Sequence, residues 1–266
     1  MPRVERSDFR LPVFVIYTSI NEVLRRPVES AIDALNAVMD DLETLGIESV
    51  VNLGDHLSGP LAAKETADYI MSSSMVCIRG NHDRLLTEQT AEQMGPSETV
   101  AYGQLDRQHL EWLRYLPATK HLGDDIFLCH GTPASDTTYW LESVALDGRV
   151  SLRPKREILA EATGVRSSLM LCGHTHTPRR IDIDDQRCVI NPGSVGGPGY
   201  EYDNPVQHIM QTGTPTASYA ILEKCEAGWL TTFRNVPYDR SRMVELAKNA
   251  NRPEWQSALD TGWLEQ

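Results

Sequence analysis

The chain has 266 residues, with 37 Asp and Glu against 25 Lys and Arg, for a formal net charge of −12. That balance excludes nonspecific binding to a nucleic-acid polymer or an anionic membrane surface. The apolar runs are only strand-sized, which excludes a hydropathic membrane span, and the length suits one domain, residues 1–266, with a core over about 11–236 and a helical extension over about 237–266.

Residues 1–10 read as a loose, charged leader without an apolar signal core, so the expected location is cytoplasmic. Residues 11–17 (L-P-V-F-V-I-Y) predict a first strand, and 18–29 resist typing. A helix is predicted over 30–45, where Ile32, Leu35, Met39, Leu42 and Leu45 share a face between Ser30 as cap and Gly46 as stop. A strand at 50–53, a helix at 62–71 and a strand at 75–78 complete a βαβαβ pattern with parallel strands. Residues 85–103 read as a polar surface excursion, and 105–116 as an amphipathic helix ended by Pro117. Strands at 126–130 and 169–172 enclose a loop, 131–152, and a short helix, 155–163. Within that loop Tyr139-Trp140-Leu141 is a candidate lid or wall. A hairpin at 181–191, a glycine-rich loop at 191–199, a further loop at 205–216 and an antiparallel pair at 217–223 and 229–234 follow. Polar helices at 240–249 and 254–263 are candidates for a homo-oligomer contact. A parallel half followed by hairpins predicts an α/β fold, a four-layer α/β/β/α sandwich of two mixed sheets flanked by helices.

Four apolar strands stop on donor residues. Strand 50–53 ends in Gly54-Asp55, and strand 75–78 runs to Gly80-Asn81-His82-Asp83. Strand 126–129 ends in His130-Gly131, and strand 169–172 in Gly173-His174-Thr175-His176. Ligands sit at the carboxyl ends of strands in open α/β sheets. Asp55, Asn81, His130, His174 and His176 therefore form a candidate metal set of oxygen and nitrogen donors without sulfur. Such a set suits Mn, Fe, Ni, Co or Zn more than Mg or Ca. Two ions ~3.5–4 Å apart clamp the attacking and leaving oxygens of a phosphoryl displacement. His82 is the candidate proton donor to the leaving oxygen, with Asp83 expected to orient its imidazole. His56, His109, His121 and His208 are expected to be solvated, as are Arg79, Arg84, Arg179 and Arg180. The five cysteines form no C-x-x-C pair and read as reduced, small hydrophobes.

Taken together, G-D at Asp55, G-N-H-D at Asn81 and His82, H-G-T-P at His130, G-H-T-H at His174 and His176, and N-P-G-S-V-G from Asn191 resemble the calcineurin-like metallophosphoesterases. The small bacterial cytosolic branch is the nearest match. The resemblance implies a dinuclear centre between the sheets. In it Asp55 bridges, Asn81, His130 and His174 complete the second metal's shell, His176 belongs to the first metal, and His82 assists the leaving group. It also implies hydrolysis of a small phosphomonoester or phosphodiester by metal-activated water. The family's Asp-x-His pair after the first strand is missing, since Tyr17 runs into Thr18-Ser19-Ile20-Asn21-Glu22. Either the first site is weak and one ion is firmly bound, or Glu22, Glu29 or Asp8 supplies a carboxylate, or the chain is a non-catalytic binding or scaffold protein. A phosphoprotein phosphatase ranks behind these readings.

Overall fold

The structure, a computed structural model, describes residues 14–17, 33–57, 61 and 63–264. In chain order its elements are β1 Phe14–Tyr17, α1 Asp33–Thr44, β2 Ser49–Asn52, α2 Ala63–Ser72, β3 Val76–Cys77, α3 Asn81–Glu88, α4 Pro96–Tyr102 and α5 Arg107–Tyr115. Then come β4 Thr119–Leu122, β5 Ile126–Cys129, β6 Glu142–Val144, β7 Val150–Leu152, α6 Lys155–Glu161, β8 Leu169–Leu171, β9 Arg179–Asp182 and β10 Cys188–Asn191. Last are β11 Gly199–Tyr202, β12 His208–Gln211, β13 Ala217–Cys225, β14 Gly228–Val236, α7 Ser241–Asn249 and α8 Pro253–Thr261.

The strands form two five-stranded sheets, in the orders β14-β13-β1-β2-β3 and β4-β5-β8-β10-β9. Within the first, β1, β2 and β3 run parallel; within the second, β5, β8 and β10 do. The antiparallel strands lie outside them. Alternation along each strand sends successive residues to opposite faces. Val51, Leu128, Leu169, Leu171, Ile190, Ala220 and Leu222 meet between the sheets. Their neighbours Val50, Tyr219 and Ile221 face α1, where Leu35, Val38 and Leu42 form the apolar stripe. Phe127, Met170 and Val189 face α6 through Ile158 and Ala162. This is the expected sandwich of two mixed sheets between helical layers.

Several local readings are corrected. Residues 85–103 are not irregular: α3 and α4 occupy most of them. Pro96 at the first turn of α4 follows Gly95 in extended conformation, a helix start that does not depend on apolar periodicity. Residues 205–216 contain β12, which pairs with β11 as a hairpin. Its inward positions are His208 and Met210, so a polar residue masked the alternation. Residues 131–152 contain the short β6–β7 hairpin. The segment 18–29 and the alternative carboxylates Asp8, Glu22 and Glu29 lie outside the described residues.

The C-terminal helices are tied into the same body. Met243 and Ala247 of α7 and Leu259 of α8 pack with Leu61. The Gly213 amide donates to the Gly262 carbonyl at 3.0 Å, and the Leu264 amide to Gln211 Oε1 at 3.1 Å. Gly262 closes α8 in the left-handed region at φ 79°, and a Cβ there would lie 2.2 Å from the Thr214 nitrogen. Only glycine satisfies both demands.

Leu171 is fully buried between the sheets one residue before the His174 turn begins. Leu171→Ala is expected to cost about 2–5 kcal/mol, read as a lower urea midpoint at unchanged slope.

Candidate metal centre

The carboxyl ends of β2, β3, β5 and β8 converge at one rim of the sandwich. Ligand atoms of Asp55, His130 and His174 lie within 4.8 Å of one another, and all three residues are buried. His130 Nε2 is 3.0 Å from Asp55 Oδ2. The His82 backbone amide donates to Asp55 Oδ1 at 2.9 Å. Asn81, 5% exposed, has no hydrogen-bond partner for its buried Oδ1 among the described residues. A buried carbonyl oxygen without a donor costs free energy unless a ligand meets it.

The histidines are held as ligands are held. His130 Nδ1 donates to the Leu53 carbonyl at 2.7 Å, and His176 Nδ1 to the Gly197 carbonyl at 2.6 Å. His174 uses its other nitrogen, Nε2, toward the Thr137 carbonyl at 3.2 Å. A backbone carbonyl thus fixes each ring's tautomer and leaves the opposite nitrogen as the lone-pair donor. Burial lowers the His174 and His176 imidazoles to about 3 and about 4, and neighbouring His130 adds to this, so both rings are neutral. Burial works against the ionised form of Asp55, but cationic His130 and His82 outweigh it and hold the carboxylate ionised. Burial likewise opposes protonation of His130, and the Asp55 charge raises it. A proton on His130 therefore balances Asp55 where a cation would. The donor set fits a divalent transition metal.

Backbone strain concentrates here. Among the described residues, non-glycine positive φ occurs at Asp55 (59°), His174 (65°), His176 (57°) and Asn251 (54°), so three of the four are candidate ligands. Such conformations cost roughly 1–3 kcal/mol and persist only when the surroundings over-determine them. A Cβ on Gly80 would sit 2.2 Å from Asp55 Oδ1, and one on Gly54 2.4 Å from the Gly80 nitrogen. The glycines of both motifs let the two strand ends touch.

Asp83 does not orient His82. Its Oδ2 accepts from the Asp55 amide at 2.8 Å, the Gly80 amide at 2.9 Å and His56 Nδ1 at 2.8 Å. Its Oδ1 accepts from the His56 amide at 2.9 Å. At the third position of α3 its carboxylate turns back over the helix start rather than toward the neighbouring ring. His82 is instead held by Glu98 of α4, with Nδ1 and Oε1 2.6 Å apart. Burial lowers His82, but the Asp55 charge and the Glu98 bond outweigh it and raise the imidazole to about 9. Glu98 lay in the polar stretch Ser97-Glu98-Thr99, which carries no motif, so nothing in the sequence pointed to it.

Three histidines expected in solvent are buried. His56 is the partner of Asp83, and although burial works against it, that carboxylate raises it to about 10. His109 caps α5, its Nδ1 accepting from the Asp106 amide at 2.9 Å. His208 bonds Tyr139 Oη at 2.9 Å, and Tyr200 Oη lies 3.0 Å from both Tyr139 Oη and the His174 carbonyl, sharing one proton between them. His121 is exposed as expected. Arg84 is not simply solvated: it makes a two-pronged pair with Asp136 at 2.6 and 3.0 Å. Arg179 pairs with buried Glu142 at 2.9 Å. In the glycine-rich loop, Asn191 Nδ2 donates to the Gly173 carbonyl at 2.7 Å and to Thr175 Oγ1 at 2.9 Å, which braces the His174–His176 turn.

This convergence of strand-end donors in a two-sheet sandwich defines a phosphoesterase class of fold. The calcineurin-like phosphoesterase superfamily domain matches residues 30–224, and the chain belongs to that superfamily. An uncharacterized protein of Methanocaldococcus jannaschii is 23% identical over 260 residues, spanning 86% of this chain and 92% of the other. A metallophosphoesterase from Sphaerobacter thermophilus superposes with TM-score 0.69 at 22% identity, over 94% of this chain and 100% of that one. A hypothetical protein from Pyrococcus horikoshii does so with TM-score 0.68 at 19% identity, over 96% and 100%. At these identities the likeness is one of fold.

Two substitutions separate the roles of the acids. Asp83→Asn leaves protonated His56 buried without its counter-charge and is expected to cost about 3–5 kcal/mol in urea unfolding. Glu98→Gln is expected to lower the His82 pKa from about 9 in an imidazole NMR titration. An unmoved His82 resonance would rule out Glu98 as its partner.

Proposed function

We propose that the protein is a metal-dependent hydrolase of small phosphomonoesters or phosphodiesters. The observation that carries this is the buried Asp55, His130 and His174 cluster with the orphaned Asn81 oxygen, set beside the His82–Glu98 pair. When bound, a divalent transition ion such as Mn, Fe, Ni or Zn supplies Lewis acidity toward phosphoryl oxygen and a lowered pKa for attacking water. Asp55, Asn81, His130 and His174 would hold it, and His176 would serve a second ion.

The chain's own residues supply the rest. His82 is cationic at neutral pH and lines the same cavity as Asp55 and His174, with a third of its side chain accessible (34%). It attracts the phosphate and donates a proton to the departing oxygen, a role worth roughly 10²–10⁴-fold. Glu98 fixes which ring nitrogen carries that proton toward substrate. The Asp83 network holds Asp55 and His82 in register. The cavity holds about 550 Å³ and is closed on one side by the C-terminal helix, which suits a small ester better than a phosphoprotein. The cysteines are all free, as a reducing cytoplasm keeps them, and cytoplasm is the location we propose. No helix among the described residues is long and apolar enough to cross a membrane.

One observation favours a second reading, a non-catalytic binding protein on the same fold. No Asp-x-His follows the first strand in Tyr17-Thr18-Ser19-Ile20-Asn21-Glu22. Elemental analysis and turnover of an aryl phosphate with added Mn²⁺ decide between them. The phosphoesterase reading expects at least one ion per chain and measurable turnover. His82→Ala is expected to cut turnover by about 10²-fold or more while metal content holds. His174→Ala is expected to lose the ion. A metal-replete, inactive protein would establish the second reading.

Metal uptake also has an expected proton count. His174 and His176 are already neutral, pushed down to about 3 and about 4, whereas His130 is raised. Binding therefore displaces the His130 proton, and affinity strengthens as pH rises toward the His130 pKa, then levels off above it. Calorimetry at pH 6 in buffers of differing ionisation enthalpy is expected to find about one proton released for the first ion.

A further inference from the structure

The family match ends at residue 224, yet the cavity over the metal centre does not. Its far wall is built from the C-terminal extension: Arg252, Glu254, Trp255, Ala258, Leu259 and Leu264. Leu85 of α3 and Tyr200 and Tyr202 of β11 continue that wall. Tyr200 stacks edge-on against His176 with ring centroids 4.9 Å apart, so aromatic surface runs outward from the centre. The helix is anchored to the catalytic side. Arg252 Nη1 donates to Ser97 Oγ at 3.0 Å, one residue before the Glu98 that holds His82.

The arginines on this wall are paired among the described residues. Arg252 pairs with Glu254 at 2.5 Å and lies over the Trp255 ring at 5.5 Å. Arg84 gives both prongs of its guanidinium to Asp136. Glu98, Glu201 and Glu254 also face the cavity. A second phosphate or a carboxylate on the substrate would meet acids and cations already engaged. Apolar surface is what this side offers, and its size admits a ring system beyond the phosphoryl group.

We infer that Trp255 of the C-terminal helix α8, with Leu264 just beyond its end, selects phosphoesters whose organic group is uncharged, apolar and ring-sized. This rests on the phosphoesterase reading above and deepens it. Trp255 is a specificity-determining residue for the organic half of the substrate, while the strand-end donors take the phosphoryl half.

The test compares 1-naphthyl phosphate with phenyl phosphate on Mn²⁺-loaded protein, since their leaving groups are similar in acidity and differ in apolar size. The wild type is expected to favour the naphthyl ester in kcat/KM by about tenfold. Trp255→Ala should reduce that ratio about tenfold, chiefly through KM, while Trp255→Phe retains most of it. Leu264→Ala gives an independent probe of the wall should Trp255→Ala fail to fold, and it should lower the ratio in the same direction. Calorimetry with 1-naphthylmethylphosphonate against benzylphosphonate reads the same preference without turnover. Turnover of both esters with equal kcat/KM, or a ratio indifferent to folded Trp255→Ala and Leu264→Ala, overturns the inference and leaves the phosphoesterase reading standing. Absence of turnover on every ester sinks the phosphoesterase reading; a phosphonate preference lost in the variants would still uphold the apolar wall, and equal phosphonate binding would remove it too.

Discussion

One carboxylate outside the Asp55, His130 and His174 cluster governs the geometry of the centre. Asp83 gathers three backbone amides and an imidazole from two strand ends, those of Gly80 in its own segment and of Asp55 and His56 across the gap. Those strands are parallel neighbours, so their ends already lie side by side. The glycines at 54 and 80 let the two backbones approach closer than any Cβ would permit. Asp83 then closes the remaining contact with charge. What results is an Asp55 turned into the left-handed region, its carboxylate aimed across to the second sheet. Hydrogen bonds to an ionised acceptor contribute roughly 1.5–3 kcal/mol each, enough to offset a strained residue costing roughly 1–3 kcal/mol.

The second sheet repeats the device with different chemistry. His174 and His176 also sit at positive φ, and Asn191 at the end of β10 braces the turn that carries them through the Gly173 carbonyl and Thr175 hydroxyl. His130 is steered by a carbonyl of the first sheet, that of Leu53. The halves of the centre are thus cross-referenced. A ring from the second sheet takes its tautomer from the first, and the carboxylate of the first is balanced by that same ring. The core between the sheets fixes their separation, so the spacing of the ligands follows from packing of residues such as Leu128, Leu171 and Ile190.

How much of this was legible in the sequence depends on the kind of interaction. Strand ends carrying Asp55, Asn81, His130 and His174 were readable because an apolar run stopping on a polar donor is a local pattern, and the structure brings those ends together. The two-sheet sandwich was readable from a parallel βα half followed by hairpins, with strands such as β8 and β10 written as short apolar runs because both of their faces are buried. Partnerships across the sequence were not. Asp83 stands next to His82, which suggested that it orients that ring, but helix geometry sends the third residue of α3 back over the helix start. The true partner, Glu98, is 16 residues away on a helix whose start is set by proline and glycine rather than by periodicity. His56 and His109 looked like turn and surface residues because nothing local records that their rings meet Asp83 and Asp68. That α8 lines the cavity was hidden as well, since a polar helix gives no sign of which cavity its few apolar residues face.

The two acids beside His82 differ in what a cation does to them. Without one, Asp55 is balanced by His130 and also raises His82. A cation at the ligand cluster takes over the Asp55 charge, and that support for a protonated His82 weakens. Glu98 lies outside the ligand set and bonds the ring directly, so its support persists. On the phosphoesterase reading proposed above the distinction matters, because the ring would have to remain an acid with substrate bound as well as without a cation. On that reading one carboxylate, Asp55, serves the metal and another, Glu98, keeps the proton on a single crowded rim. Glu98 sits on α4, which Arg252 ties to the C-terminal helix, so the partner of His82 and the far wall of the cavity are held by one hydrogen-bonded seam.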